Sequence, residues 1–247
     1  MNLFDLAMAK KMFGGSGGGA GGDSEIVKAI CEGTEFELTG NNVELVTQLT
    51  INIKQKIVGV SLPNAKTIEI NAFYGSQYLK KADFPKVTEI GNAAFKQCYL
   101  LSEINFPNVV NIGANAFETC HSLTNVCFPS AKIIGASAFR GFVEAANSMN
   151  LEKVDLPVAT AIDNSAFAQC DNLTALILRN EVEVCEIDIT AFADTKIDAV
   201  QGFIYIHNSM YEAYREYYAS FLESAFGVPG IFDMLFRKIE DYPEICG

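Results

Sequence analysis

From Leu62 to Phe139, apolar and polar positions recur in register with a period of about 22 residues, inside the range of known repeat architectures. Four segments align without gaps: LPNAKTIEINAF (62–73), FPKVTEIGNAAF (84–95), FPNVVNIGANAF (106–117) and FPSAKIIGASAF (128–139). A fifth, LPVATAIDNSAF (156–167), follows after six extra residues. Such a period marks a solenoid, in which each unit buries its apolar side only against its neighbours. Within one unit, Leu101-x-x-Ile104-x-Phe106-Pro107 alternates at period two, which predicts a strand ended by proline. Residues 109–112 supply a second extended piece, and Gly113 breaks it. Residues 114–117 and the next few then predict a brief helical turn that drops Ala116 and Phe117 inward. Leu123/Val126/Phe128 opens the next rung, and Leu79/Ala82/Phe84, Leu151/Val154/Leu156 and Leu173/Leu176/Leu178 are its equivalents. The last full rung departs from the pattern: Arg179 replaces the proline, and Phe192 follows Phe167 at an interval longer than the period. Ile204 and Ile206 close the stack. The expected architecture is α/β, a curved parallel β-stack with short helical turns and about seven rungs, roughly 30 Å long at strand spacing.

The flanks read differently. Residues 1–13 predict a short helix with apolar Leu3, Phe4, Leu6, Met8, Met12 and Phe13, followed by GGSGGGAGGDS (14–24), a linker composition. Asp23 or Ser24 can cap a helix through about Cys31, with Ile26, Val27 and Ile30 on one face and Gly33 ending it. Residues 43–62 read as strands, and Ile57-x-x-Val60-x-Leu62 already has the apolar spacing of the repeat. After Ile206, Asn208 or Ser209 caps a helix to about Leu222 with Tyr211, Tyr214, Tyr218 and Leu222 on one stripe. Gly227, Pro229 and Gly230 break it, and residues 231–239 make a further amphipathic turn or two. The expected divisions are a tail (1–22), a helical N-terminal cap (23–56), the repeats (57–206) and a helical C-terminal cap (207–247) that covers the last edge strand.

These residues carry a resemblance. The runs IGNAAFKQCYLLSEINFP (90–107) and IGANAFETCHSLTNVCFP (112–129) resemble the BspA-type leucine-rich repeat of bacterial proteins, and the likeness covers roughly 57–206. The closing FIYIHNSMYEAYREYY (203–218) is similar to the tail that often follows such repeats, with His207 where the family usually has proline. The resemblance implies a leucine-rich-repeat solenoid without catalytic residues. It also implies a role in surface adhesion or host interaction, since such repeats occur there and in gut-bacterial and phage-associated proteins. The glycine-rich start after a short helix is similar to that of some phage structural proteins.

Composition narrows the function classes. The chain has 247 residues, 49% of them hydrophobic, a net charge of −12 and a pI near 4.6. That field repels phosphate backbones, so no nucleic-acid partner is expected. No run of 18 apolar residues suggests a membrane span, and no membrane insertion is expected. Asp5 and the Lys10–Lys11 pair make the N-terminus unlike a signal peptide. The expected location is cytoplasmic or within a larger particle, with a surface location open through a non-classical route.

Candidate chemistry is sparse. Of seven cysteines none forms a CxxC pair, and the two histidines are His121 and His207. Cys120/His121 is the one adjacent thiol–imidazole pair, but the repeat places Cys120 inward with Cys98 and Cys170, where burial makes a thiol inert. Cys98 and Cys120 lie one rung apart, a spacing that fits either a bridge or a reduced thiol ladder. Histidines are too few for a metal centre, no calcium loop occurs, and the glycine run lacks the lysine of a phosphate loop. No catalytic residue, metal or cofactor is expected.

What remains is the outward strand face. One column is Gly59, Lys81, Glu103, Asn125, Lys153 and Ala175; the other is Ser61, Asp83, Asn105, Cys127, Asp155 and Ile177. Stacked columns make an extended recognition surface. The candidate binding residues are Lys81, Asp83, Glu103, Asn105, Asn125, Cys127, Lys153 and Asp155, with Ile177 expected to be exposed beside them. The insertion FVEAANSMN (142–150) is either a contact loop or a neutral bulge. The expectation is a non-enzymatic module that binds a protein or glycan at a bacterial surface. The alternative is a structural component of a phage or surface assembly, tethered through residues 1–22.

Overall fold

Each repeat folds as two short strands joined by turns, because prolines and glycines interrupt the extended backbone at fixed places. The structure, a computed structural model, describes residues 26–31, 34–39, 57–63, 65–142, 149–197 and 201–242. Expectations for residues 1–25, 32–33, 40–56, 64, 143–148, 198–200 and 243–247 lie outside the described residues. The first strand of each rung falls in one column: β3 (Ile57–Ser61), β5 (Lys81–Asp83), β7 (Glu103–Asn105), β9 (Asn125–Cys127), β11 (Lys153–Asp155), β13 (Ala175–Leu178) and β15 (Phe203–Ile206). The second strands form another: β4 (Thr67–Ile68), β6 (Glu89–Ile90), β8 (Asn111–Ile112), β10 (Ile133–Ile134), β12 (Ala161–Ile162) and β14 (Glu186–Ile187). Pairing within both columns is parallel with equivalent residues opposite each other, as in Lys81↔Glu103 and Ile90↔Ile112. This is the α/β solenoid that the period predicts.

The second column is one unbroken six-stranded sheet, whereas the first splits between β7 and β9. At that step the Phe106 and Phe128 rings are 6.2 Å apart, against 5.5 Å for Phe84 and Phe106. On the turn side of the same step Phe117 and Phe139 keep 5.1 Å. The rungs therefore spread on the strand side alone.

The core is built on aromatic stacking along the solenoid. Phe73, Phe95, Phe117, Phe139, Phe167 and Phe192 form a column of near-parallel rings with centroids 5.0–5.6 Å apart. Ala72, Ala94, Ala116, Ala138 and Ala166 are fully buried beside them, where a larger side chain would separate the rungs. Cys98, Cys120 and Cys170 are buried thiols in no disulfide, and each donates to the carbonyl of Phe73, Phe95 or Phe139 at 3.1–3.2 Å. The reduced ladder is therefore the form present.

The brief helical turns prove to be successive single turns. Bonds from the Ala116 N–H to Gly113 O, Glu118 N–H to Asn115 O and Cys120 N–H to Phe117 O have i→i−3 spacing. Left-handed residues at Asn115 (φ 58°) and Thr119 (φ 59°) stop a helix from propagating. Asn71, Ala93, Ser137 and Ser165 repeat the first of these positions, and Gln97 and Gln169 the second. The geometry turns alternate N–H groups toward the next rung: Asn115, Phe117 and Thr119 donate to Ala136, Ala138 and Arg140 at 2.7–2.9 Å. A third backbone ladder thus runs along the turn side and satisfies groups that a buried turn would otherwise orphan.

Gly141 sits on this ladder with no room for a side chain. Its N–H donates to Ala168 O at 2.9 Å, and an added Cβ would collide with the Gln169 carbonyl oxygen. Gly141→Ala is expected to lower stability by about 2 kcal/mol, the range of an overpacked site, read as a lower urea midpoint.

Both caps correct the expectations in part. The helix expected through Cys31 is instead β1 (Ile26–Cys31), paired antiparallel with β2 (Thr34–Thr39) and with β3. Ile26, Val27 and Ile30 fit a helical face or an extended strand equally. Phe36 and Leu38 alternating with Glu35 and Glu37 supply the partner strand. A short isolated helix is marginal, whereas β1 gains ladder bonds on both sides. At the other end, His207 accepts from the Ser209 N–H and caps a 3-10 turn, Asn208–Met210, that opens α1 (Tyr211–Phe226). Of the expected stripe, Tyr214, Tyr218 and Leu222 are buried and Tyr211 is half-buried, and the helix ends at left-handed Gly227. After α2 (Ile231–Leu235) the chain forms a strand, β16 (Phe236–Lys238), which pairs parallel with β15. This strand replaces the expected second amphipathic turn.

The exposed edge of β14 is closed by tyrosines. The Cys185 N–H donates to Tyr214 Oη at 2.9 Å and the Ile187 N–H to Tyr218 Oη at 2.6 Å. Tyr218 Oη donates in turn to the Cys185 carbonyl at 2.8 Å. Burial pushes both phenols above their ordinary pKa, which keeps them protonated.

Candidate functional site

Strand pleating places the candidate residues on the outward face, and much of that face is paired along the solenoid. Lys81 Nζ lies 3.2 Å from Glu103 Oε2. Asp83 accepts from Ser61 Oγ at 2.8 Å and from Asn105 Nδ2 at 2.6 Å, a chain across three rungs. The Lys81–Glu103 pair is more than half exposed on both sides and contributes little to stability. Beyond the open step, Arg179 Nη1 holds both carboxylate oxygens of Asp155 at 2.6 and 2.8 Å. Arg179 thus supplies a side-chain contact at the position where other rungs carry proline.

Asn125 and Cys127 occupy the open step itself, and both are exposed. Partial burial and the Asp155 carboxylate raise the Cys127 thiol pKa, and Arg179 and Lys153 oppose this. The exposed thiol is therefore less reactive than its accessibility suggests. Lys153 is half-buried on the next rung. The structure brings all eight candidates onto one face, in two polar patches with Asn125 and Cys127 between them.

The outward columns end earlier than expected. Ala175 and Ile177, placed on the exposed face by alternation, are buried with Tyr205 and Ile239 in a second small core, against Phe203 and Tyr242. The register sets Ala175 opposite Phe203 and Ile177 opposite Tyr205, so the outward column becomes aromatic and the C-terminal segment folds over it. The signal was present: ALIL in β13 is an apolar run, the mark of a strand buried on both faces.

Cys120 and His121 have different surroundings. Burial raises the Cys120 pKa well above the ordinary value, and its thiol donates to Phe95 O. His121 stacks on Tyr99, with centroids 5.2 Å apart and planes at 15°. Among the described residues no group of three or more His, Cys, Asp or Glu side chains is placed to hold a metal ion. Nor is any described helix long and apolar enough to cross a membrane. Phe142, at the start of the insertion, is exposed, while Met149 and Leu151 at its end are buried.

A groove that the sequence did not signal lies between α1 and the last rungs. Its lining includes Ile187, Ile189, Tyr217 and Phe221, with the carboxylates Asp163, Glu186 and Asp188 along it. It continues into a small apolar end of about 60 Å³ toward Phe226 and Ile231. Ile189, Tyr217 and Phe221 are 42%, 53% and 49% exposed. Tyr217 and Phe221 lie one helical turn apart on a second face of α1, beside the stripe that the cap buries.

Comparison with known proteins agrees with this architecture. A family model described as BspA type leucine rich repeat region, with six copies, matches residues 51–147 and 143–219. No curated protein matches the sequence. Among solved structures, the pneumococcal vaccine antigen PcpA is similar at 17% identity and a TM-score of 0.54, over 65% of this chain. This chain spans 38% of the length of that structure. A leucine-rich repeat protein from Bacteroides ovatus matches at 21% identity and a TM-score of 0.40, over 61% of this chain and 50% of the other. A leucine-rich repeat protein of T. pallidum matches at 28% identity and a TM-score of 0.36, over 48% of this chain and 68% of the other.

Proposed function

We infer a binding role from one premise: the chain belongs to the BspA-type leucine-rich repeat family. It is a repeat module, and repeat modules act through the surface that their rungs hold in register. We propose a non-enzymatic module that binds a protein or glycan at a bacterial surface through the strand face from Lys81 to Asp155. The observation that carries this reading is the preset polar face. The Ser61–Asp83–Asn105 chain and the Asp155–Arg179 pair hold side chains in place before any partner arrives, which lowers the ordering cost of binding. Exposed Asn125 and Cys127 lie between these anchored patches.

The full chain can be tested on a printed glycan array and on a panel of immobilised extracellular-matrix proteins. A variant combining Lys81→Ala, Asn125→Ala and Lys153→Glu is expected to lose at least about tenfold in affinity, the loss of one or two good polar contacts, with an unchanged melting temperature. Equal binding by the variant and the parent chain removes the strand face from consideration.

A second reading rests on residues 1–22. An apolar segment followed by GGSGGGAGGDS has the composition of a tethered anchor, which suits a structural component of a phage or surface assembly. Deleting residues 1–22 should then prevent incorporation into the particle, and normal incorporation removes this reading.

A further inference from the structure

We propose that the groove between β14 and α1 is a docking site for residues 1–13 of a second copy of this chain, so that copies join head to tail. The proposal names the partner in the assembly reading and is independent of the strand face. The groove combines an apolar wall of Ile189, Tyr217 and Phe221 with the carboxylates Asp163, Glu186 and Asp188, and among the described residues no lysine or arginine lines it. Asp188 also accepts from the Thr190 hydroxyl and N–H, while Asp163 and Glu186 are exposed at its rim. Its chemistry calls for an apolar segment that carries positive charge.

Residues 1–13, MNLFDLAMAKKMF, have that character. Leu3, Phe4, Leu6, Met8, Met12 and Phe13 provide the apolar contacts, and Lys10 and Lys11 stand against the single acid Asp5. This balance is opposite in sign to that of the whole chain, whose net charge is −12. Complementary charge then selects the segment and sets its direction in the groove.

Topology sets the segment and the groove at opposite ends of the stack. The segment joins the body through β1, at the start of the first column, whereas the groove lies beside β14, at the far end of the second. Residues 14–25 span at most about 40 Å, enough to cross from one copy into the next along the stacking direction. Such a contact uses a different surface on each copy and generates rings or open chains of copies.

Sedimentation velocity of the full chain over a hundredfold concentration range tests this. The average mass should rise with concentration. Phe221→Asp in the groove, and Leu6→Asp with Lys10→Glu in the segment, should each abolish association. Mixing these two variants should restore 1:1 pairs and nothing larger, since one keeps an intact segment and the other an intact groove. A charge swap serves as a second probe at exposed positions. Asp163→Lys with Glu186→Lys should weaken association at least tenfold, and Lys10→Glu with Lys11→Glu on the partner copy should recover it. A chain that stays monomeric throughout, as it would if the segment folded onto its own groove, overturns the proposal. Association that survives Phe221→Asp, or a mixture that fails to pair, does the same.

Discussion

Phe117→Ala is expected to lower the stability of the chain by about 3–5 kcal/mol, the upper range for removing a buried aromatic ring. Phe117 is fully buried, with Phe95 and Phe139 stacked on its faces at 5.2 and 5.1 Å. Phe106 and Phe128 pack at 6.0 and 5.8 Å. The backbone ladders on either side fix the distance between rungs, so the cavity cannot close by collapse. The effect should also be visible in cooperativity. A solenoid couples each rung only to its neighbours, so a defect at the middle rung lets the two halves unfold separately and lowers the urea m-value. Phe192→Ala provides the contrast: that ring ends the column, keeps 7% of its surface exposed and stacks on Phe167 at 5.6 Å. It should cost distinctly less and leave the m-value unchanged. Equal losses at the two positions would show that continuity of the column is not what stabilises the stack.

Raising the pH from 8 to 10 is expected to remove about 4 kcal/mol of stability, because each of three buried thiols would ionise near pH 9 in the unfolded chain and so costs about 1.4 kcal/mol over that interval. Burial raises the pKa of Cys120 and Cys170 well above the ordinary value of 9.0, and that of Cys185 to about 12. In the unfolded chain these thiols ionise from about pH 9, while in the folded chain they hold their protons. Between those limits the folded state binds more protons, so stability is complete below about pH 9 and falls as pH rises. Above about pH 10 the buried phenols of Tyr214 and Tyr218 act in the same direction. Urea midpoints measured across pH 7–11 give the slope. Replacing Cys120, Cys170 and Cys185 by alanine should flatten it between pH 8 and 10, and an equally steep slope in that variant would overturn the explanation.

The repeat period made the inner surface readable, because the rungs repeat both the strand and its inward residues. Leu101, Phe106, Ala116, Phe117 and Cys120 are all buried where alternation and the Ala-Phe pair put them. What escaped depended on pairing between distant segments. Residues 26–31 suit a helix or a strand, and the choice is made by β2 and β3, which the local pattern does not contain. β16, Phe236–Lys238, is too short for a periodic signature. The left-handed positions were equally hidden: Asn71 and Asn115 favour that conformation, but Ala93, Gln97 and Thr119 do not, and inter-rung bonds hold them there. Among the site residues, alternation placed Lys81 to Asp155 outward as found. It misplaced Ile177 because Ile239 and Tyr242, on the covering segment, lie far downstream in the sequence. The groove joins β14 to α1 with β15 and its flanking turns between them in the chain, so neither element announces it alone.

The two tyrosines at the end of the second sheet have an evolutionary consequence. Tyr214 and Tyr218 bond to backbone atoms of Cys185 and Ile187, groups that any residue except proline would present there. The terminator's hydrogen bonds therefore do not read the side chains of the rung it closes. Whole units can be duplicated or lost upstream and the same ending still fits, so copy number is free to drift while the closing segment stays constant.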